Sequence, residues 1–322
     1  MFRNVMVPVD GSSFSREAVL QGVRLASLFG ATLRLVRVAS TPPFSAGPDA
    51  FAFDASSGLD TQAAELSDLY AIAAECRAHS TINVTASLER GPVIDALCGY
   101  ARRNAVDLII MRSHARGGIA RAWFGSVADA LIRESGVPVL VVRPPSVATG
   151  MEKGISYRRI IVPLDGSVLA EQSLPPAILL AKSEAASILL LLVVAPVADH
   201  ADADLLSSIG PVTEREVFEA QTYLDSIISR HGSGVRMLTR IVVSPDIPSA
   251  ILRATEAEEA DLVTLATRGR GMMARTLGGS VSDRVMRESV VSTLIIHPTS
   301  SINQALEQTR HNRSDARVPA SR

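Results

Sequence analysis

The sequence predicts an α/β protein made of two doubly wound domains in tandem, each with a five-stranded parallel, Rossmann-like sheet. The main observation is an internal repeat. The stretch Asp107–Ser135 recurs as Asp261–Ser289 at a constant offset of 154 residues (279 minus 125 for a shared glycine). Apolar strands alternate with amphipathic helices through both copies, which is typical of parallel sheets with right-handed crossovers. A length of 322 residues also fits two domains of ordinary size.

The first copy, predicted at 1–143, starts with a short apolar strand that stops at Asp10-Gly11-Ser12. Ser12 or Ser13 can cap the helix that follows. Strands are predicted at Val5–Val9, Leu33–Val38, Asn83–Leu88, Asp107–Met111 and Val137–Val142. Four helices are predicted. The first ends near Gly30, and the others lie at Thr61–His79, from Pro92 to about Asn104, and at Val127–Glu134. The long Pro, Gly and Ser-rich segment Ser40–Asp60 is expected to be a functional or mobile loop.

A linker at 144–157 precedes the second copy, which is predicted at 158–299 and repeats the same order. Its strands are expected at Ile160–Leu164, Ile188–Val194, Val235–Val243, Leu262–Ala266 and Val291–His297. Its helices are expected at Leu169–Lys182, Thr213–His231 and Ile247–Glu258, with one more after the Gly/Arg loop. The polar tail 300–322 lacks a core pattern and is expected to be disordered or a short helix.

Composition excludes several classes of function. The formal net charge is −1 and the aromatic fraction is 4%, so nothing indicates a nucleic-acid partner or an anionic membrane surface. The longest apolar run, Ala185–Ala198, is too short to cross a bilayer and is expected to be a buried strand. Cys76 and Cys98 lack metal-ligand spacing and are predicted to be buried free thiols. We therefore expect a soluble, cytoplasmic protein.

The candidate site lies where the strands end. In an open α/β sheet, ligands bind beyond the carboxyl ends of the strands where the strand order reverses. In the first copy this rule is expected to bring Asp10, the end of the second strand and the loop after the fourth strand close together. In the second copy the corresponding residues are Asp165, Val194 and Ala266–Ser280. The alternative for each Asp-Gly-Ser turn is a helix cap only. Its occurrence in both copies, each time with the same loop, favours a binding site.

These residues resemble the universal stress protein family in its tandem two-domain form. The resemblance runs from Met1 to His297 and is carried by VPVDGS at Val7, VPLDGS at Val162, ADLVTLATRGRG and the GSV turn. In that family the loop after the fourth strand reads G-x2-G-x9-G-[S/T], and members that match it bind ATP. The resemblance also implies a pseudo-dimer in which the two fifth strands, Val137–Val142 and Thr293–Ile296, pair antiparallel and cover two sheet edges.

The glycine pattern is damaged unequally in the two copies. In the first copy the three glycine positions are occupied by Arg112, Ala115 and Gly125, and Ser126 follows. In the second copy they are occupied by Ala266, Gly269 and Gly279, and Ser280 follows. A side chain where the backbone approaches a phosphate, or at positive φ, is expected to cost roughly 1 kcal/mol or more. Arg112 could also fill the phosphate site itself. We therefore predict that the second copy is the better nucleotide site.

The predicted nucleotide contacts follow from this comparison. By resemblance, an Asp and the strand-two Val contact the adenosine while glycines and the hydroxyl surround the phosphates. The candidates in the second copy are Pro163, Asp165, Val194, Ala266, Thr267, Gly269, Arg270, Gly279, Ser280 and Val281. Those in the first copy are Asp10, Val38, Gly125 and Ser126. The cofactor expected is ATP; the resemblance permits Mg²⁺ with it, although no carboxylate cluster demands the ion.

Basic residues crowd both loops, and their role stays open between phosphate pairing and ordinary surface charge. They are His114, Arg116, Arg121, Arg268, Arg270 and Arg275. No P-loop, G-x-S-x-G, H-E-x-x-H or zinc pattern occurs, and no Lys stands at the phosphate loop. The sequence therefore argues against efficient phosphoryl transfer but leaves slow ATP hydrolysis open.

The main hypothesis is a stress-response protein that senses or sequesters an adenine nucleotide, chiefly through its second domain. The rival is a nucleotide-independent interaction module for an unknown protein partner, using Phe44, Phe51 and Phe53 in the long loop. The alternative for these aromatic residues is that they pack over their own domain or against a second copy of the chain in a homodimer.

Overall fold

The computed structural model describes residues 2–39, 55–112, 125–143, 154–196, 212–267 and 281–297, with only the backbone described at 55–59. The strands of the first half are β1 (Asn4–Pro8), β2 (Thr32–Val38), β3 (Val84–Glu89), β4 (Leu108–Arg112) and β5 (Val139–Val142). Its helices are α1 (Ser13–Phe29), α2 (Ala55–Ala78), α3 (Val93–Arg103) and α4 (Ser126–Glu134). Every predicted strand of this half is present, with bounds that differ by no more than two residues.

The second half repeats this order. Its strands are β6 (Arg159–Leu164), β7 (Ser187–Val194), β8 (Arg236–Val243), β9 (Leu262–Ala266) and β10 (Ser292–Ile296). Its helices are α5 (Val168–Glu171), α6 (Leu174–Glu184), α7 (Glu214–His231), α8 (Ile247–Ala257) and α9 (Val281–Glu288). The helix α7 starts with a capping box in which Thr213 and Glu216 each accept the other's backbone N–H.

Two helix predictions were wrong. The single helix expected at Leu169–Lys182 is divided into α5 and α6, because Pro175 and Pro176 lie in the first turn of α6 and cannot donate to a preceding turn. The helix expected from Thr61 begins earlier, at Ala55. The Ser and Gly residues before Thr61 predict a loop, yet no proline lies between Pro48 and Thr61 to stop the helix from extending toward its N-terminus.

The described strands form one continuous sheet in the order β3-β2-β1-β4-β5-β10-β9-β6-β7-β8. Pairing is parallel within each half. Between the halves, β5 and β10 pair antiparallel, with Val141 opposite Thr293, Leu140 opposite Leu294 and Val139 opposite Ile295. The predicted pseudo-dimer is therefore confirmed, and its two central edges are satisfied by each other.

The core follows from this continuous sheet. On one face a single apolar cluster runs through both halves, from Leu69 and Phe29 to Leu180 and Leu224. On the other face each half has a cluster of its own, and Met286 and Ile295 of the second half join that of the first. Burial of apolar surface is thus shared across the junction, which favours cooperative folding of the two halves.

The segment that enters the second half packs on α1. Gln21 is fully buried: its Oε1 accepts the Ile155 N–H at 2.6 Å and its Nε2 donates to the Ile155 carbonyl at 3.1 Å. Arg24 donates to the same carbonyl at 3.1 Å and pairs with Glu184 of α6. Tyr157 is also fully buried. A helix of the first half therefore fixes the entry to the second.

We expect Gly22→Ala to destabilise the protein by about 1–3 kcal/mol through overpacking. A Cβ at Gly22 would lie 2.7 Å from Val7 Cγ2 and 2.9 Å from Leu33 Cδ1, both in the core. The matched control is Gly99→Ala in α3, where the added carbon meets Arg103 Nη1 at 3.0 Å, the end of a flexible side chain. Because alanine is favoured over glycine in helices by about 1 kcal/mol, the control should be neutral or stabilising. Urea denaturation measures both, and equal stabilisation of the two variants would contradict this packing.

Candidate functional site

A cavity of about 370 Å³ lies at the carboxyl ends of the strands in the first half. The strand order reverses between β1 and β4, so this is the topological switch point of the half-sheet. Its walls include Pro8, Val9, Asp10, Ser15, Ala18, Val36, Val38, Val93, Leu97, Met111, Arg112, Gly125, Ser126, Val127 and Ala128. All four candidates named in the first copy, Asp10, Val38, Gly125 and Ser126, thus surround one cavity.

The two Asp-Gly-Ser turns have the same geometry. Asp10 Oδ1 accepts the Ser12 N–H at 3.0 Å, and Asp165 Oδ1 accepts the Ser167 N–H at 3.0 Å. Gly11 and Gly166 both have φ of +79°, where a side chain would be strained. The serines then cap α1 and α5. Each turn therefore does the structural work of a helix cap and also holds its carboxylate at the strand end.

Arg112 is held inside the first half by residues of α1. Its guanidinium forms an ion pair with Glu17, and its Cζ lies 4.8 Å from the centroid of the Phe14 ring. The side chains of Arg112 and Glu17 are only 14% and 23% exposed. Since Arg112 stands at a glycine position of the phosphate loop, this geometry supports the prediction that it fills part of that site.

The second half lacks this arrangement. At the offset of 154 the repeat places Ala266 where the first half has Arg112. Near the Asp-Gly-Ser turns the offset is 155, as for Asp10 and Asp165, so Leu169 stands in place of Phe14 and Gln172 in place of Glu17. All three residues of the cluster are replaced by uncharged ones. Sequence reasoning noticed Arg112 but missed Phe14 and Glu17, although an aligned comparison of the two copies would have shown the three changes together.

Gly125 does not need to be glycine for backbone reasons. It is the N-cap of α4, with φ of −57°, and a Cβ there would meet no atom of the described residues within 4 Å. Of the two reasons given for the loop glycines, positive φ therefore does not apply at Gly125. The remaining reason for a glycine is the close approach of a ligand to the first turn of α4, which has no side-chain cap.

In the second half the described candidates also meet at the strand ends. Pro163 is the second-last residue of β6 and Asp165 directly follows that strand. Val194 ends the neighbouring β7, and Ala266 ends β9 on the other side of β6. Thr267 donates its backbone N–H to the Ile296 carbonyl at 2.9 Å. At the start of α9, next to Val281, Ser282 donates to the Ala266 carbonyl at 3.2 Å. The α9 start is thus tied to the end of β9.

Several predicted residues lie outside the described residues. In the second copy these are Gly269, Arg270, Gly279 and Ser280, together with Arg268 and Arg275. In the first copy they are His114, Ala115, Arg116 and Arg121, and the aromatic residues Phe44, Phe51 and Phe53.

The remaining chemistry-bearing groups are structural. Cys76 and Cys98 are buried and form no disulfide, and burial raises the pKa of the Cys76 thiol to about 11, so this thiol is protonated at neutral pH. The repeated Asp107 and Asp261 accept backbone N–H groups at the starts of β1 and β6. Within the described ranges no His, Cys, Asp and Glu cluster could hold a metal, and no helix is long and apolar enough to span a membrane.

Comparison with known proteins agrees with this architecture. A universal stress protein of Methanocaldococcus jannaschii is 26% identical over 147 residues, which cover 45% of this chain and 84% of that protein. A universal stress protein of Mycolicibacterium smegmatis is 24% identical over 301 residues, covering 91% and 97%. The crystal structure of a universal stress protein from Archaeoglobus fulgidus superposes with a TM-score of 0.68 at 18% identity and covers 91% of this chain and 98% of that one, which supports the fold.

A sequence model of the universal stress protein family matches this chain twice, at residues 1–143 and 156–297. The two matches coincide with the two halves of the sheet and together cover most of the chain. The protein therefore belongs to the universal stress protein family, in a tandem two-domain form.

Proposed function

We propose that this protein binds an adenine nucleotide of the ATP type in its second half and acts as a cytoplasmic stress sensor rather than by turnover. The observation that carries the proposal is the difference at the end of the fourth strand of each half. Arg112 occupies this place in the first half together with Glu17, whereas the second half has the small, uncharged Ala266 there. The second half also retains two of the three loop glycines and the serine after them.

The residues present in the second half fit such a ligand. Val194 supplies an apolar strand end for a base, and Asp165 supplies a carboxylate that can accept hydrogen bonds from a ribose. Ala266 and Thr267 lead into the loop with Gly269 and Arg270, which closes at Gly279, Ser280 and Val281. Backbone N–H groups of such a loop and of a helix N-terminus suit phosphates.

We further propose that 1–143 and 158–299 are the two functional units, joined by the linker 144–157. Nucleotide binding would change the conformation of the loop after β9, and with it the surface that this loop presents to a partner protein. The interaction-module hypothesis rests on Phe44, Phe51 and Phe53, which lie outside the described residues, whereas the nucleotide hypothesis also rests on the described strand ends at Asp165, Val194 and Ala266. Slow ATP hydrolysis would appear as phosphate release above a control without protein.

Calorimetric titration of ATP into the intact protein tests the proposal, with GTP as the matched control for the base. We expect saturable heat with ATP and at least about tenfold weaker binding of GTP, since the site is proposed to select adenine. Absence of both heat and a thermal shift at millimolar ATP would overturn the nucleotide function and redirect attention to protein partners.

A further inference from the structure

We propose that the cavity of the first half is a second, different ligand site, which takes an adenine nucleotide with a single phosphate and rejects ATP. Arg112 is the residue that sets this limit. The inference rests on the proposed adenine-nucleotide function of the second half for the identity of the base. The size of the ligand is argued from the first half alone.

The cavity has a large apolar part and a small polar end. Val36, Val38 and Met111, from β2 and β4, together with Val93 and Leu97 of α3, supply apolar walls that suit a planar base. At about 370 Å³ the cavity is near the small end of the usual range for ligand pockets, roughly 300–1,000 Å³. It therefore accommodates a compact ligand.

The polar end provides for one anion. The first turn of α4 begins at Gly125 without a side-chain cap, and Ser126, Val127 and Ala128 of that turn line the cavity. Arg112 lines it from β4, and its buried Nε has no hydrogen-bond partner among the described residues. A helix N-terminus and an arginine donor together match one phosphate group.

The same arginine opposes a longer phosphate chain. Its charge is already compensated by Glu17, and its side chain is fixed against Phe14. A triphosphate would need the volume that Arg112 fills, where the second half has only the methyl group of Ala266. It would also bring further negative charge toward Glu17. Like charges at short range in a partly buried site are strongly unfavourable.

The replacement of three residues as a set supports this assignment. An arginine alone would be an unpaired buried charge, which is costly. Glu17 and Phe14 make it tolerable, and the second half has neither the arginine nor its partners. At the same place in the fold, the first half therefore has an arginine held by its own carboxylate and aromatic partners, and the second half has three uncharged residues.

The test uses full-length Gly279→Val protein, in which the site of the second half is disabled, and titrates it with AMP, ATP and adenosine. The blank is the double variant Gly125→Val/Gly279→Val. We expect AMP to bind at least about tenfold tighter than either ATP or adenosine. ATP as tight as AMP would overturn the size limit, adenosine as tight as AMP would overturn the phosphate site, and no AMP heat above the blank would overturn the site itself.

The role of Arg112 is tested by adding Glu17→Gln and Arg112→Ala to Gly279→Val, which copies Gln172 and Ala266 of the second half and leaves no unpaired charge. We expect the preference for AMP over ATP to fall by roughly tenfold. An unchanged preference, with an unfolding midpoint close to that of Gly279→Val, would overturn the assignment to Arg112. ATP binding by the second half is measured separately in Gly125→Val protein. A failure of the proposed first-half site can therefore be distinguished from a failure of the proposed function.

Discussion

Arg143→Met is expected to destabilise the protein by about 2–4 kcal/mol, because it removes several hydrogen bonds from a charged donor in a buried setting. Arg143 follows β5 of the first half and reaches the C-terminus of α9 in the second. Its guanidinium donates to the Met286 carbonyl at 2.8 Å, to the Arg287 carbonyl at 3.3 Å and to the Ser289 carbonyl. A cation at a helix C-terminus also interacts favourably with the helix dipole.

Methionine keeps much of the side-chain volume, so the loss should report on hydrogen bonds rather than on a cavity. Burial lowers the pKa of Arg143. The hydrogen bonds to the three carbonyls compensate the charge that burial removes from water. The matched control is Arg133→Met in α4, whose half-exposed side chain pairs with Asp129 one turn away. Exposed pairs of this kind are worth roughly 0.3–0.5 kcal/mol. Urea denaturation measures both variants, and equal losses would contradict a special role of Arg143 at the junction.

The repeat makes this contact asymmetric. The counterpart of Arg143 in the second half is His297, whose buried Nε2 has no hydrogen-bond partner among the described residues. Burial lowers the pKa of His297 to about 4, so the ring is neutral near pH 7. The contact of Arg143 with α9 therefore has no charged counterpart from His297, although Arg287 of the second half pairs with Asp129 of the first at 3.4 Å.

The fold could be predicted largely from the sequence because the signals were local and repeated. Strand periodicity and the repeated β4 and β9 stretches determine the element order. The β5 to β10 pairing, which only the family resemblance implied, is also confirmed. The break between α5 and α6 was missed because the hydrophobic pattern continues through it. Only the two prolines indicate that the helix must restart there.

The candidate site was predictable in place but not in detail. Asp10, Val38 and Gly125 follow from the rule that ligands bind at strand ends, and the structure brings them to one cavity. The ion pair of Arg112 with Glu17 joins residues far apart in sequence, and no periodicity relates them. Likewise, sequence alone could not show that Gly125 has ordinary φ and open space around it. That distinction needs backbone coordinates.

Gly279→Val is expected to weaken ATP binding by roughly a hundredfold or more, about 2.7 kcal/mol. The repeat makes Gly279 the counterpart of Gly125, where an added Cβ meets no atom of the described residues and φ is compatible with any residue. The variant should therefore fold, yet its side chain would stand where the loop and the helix N-terminus must approach the phosphates. The matched control, Gly125→Val, makes the same change in the half that is proposed to reject ATP.

The central claim is that the two halves of one continuous sheet have different ligand sites, with ATP confined to the second. Calorimetric titration of ATP into Gly279→Val and Gly125→Val proteins tests it most directly. Loss of binding in Gly279→Val, with one site per chain and unchanged affinity in Gly125→Val, is the predicted result. Loss in Gly125→Val, or two equivalent ATP sites in the unsubstituted protein, would contradict the claim.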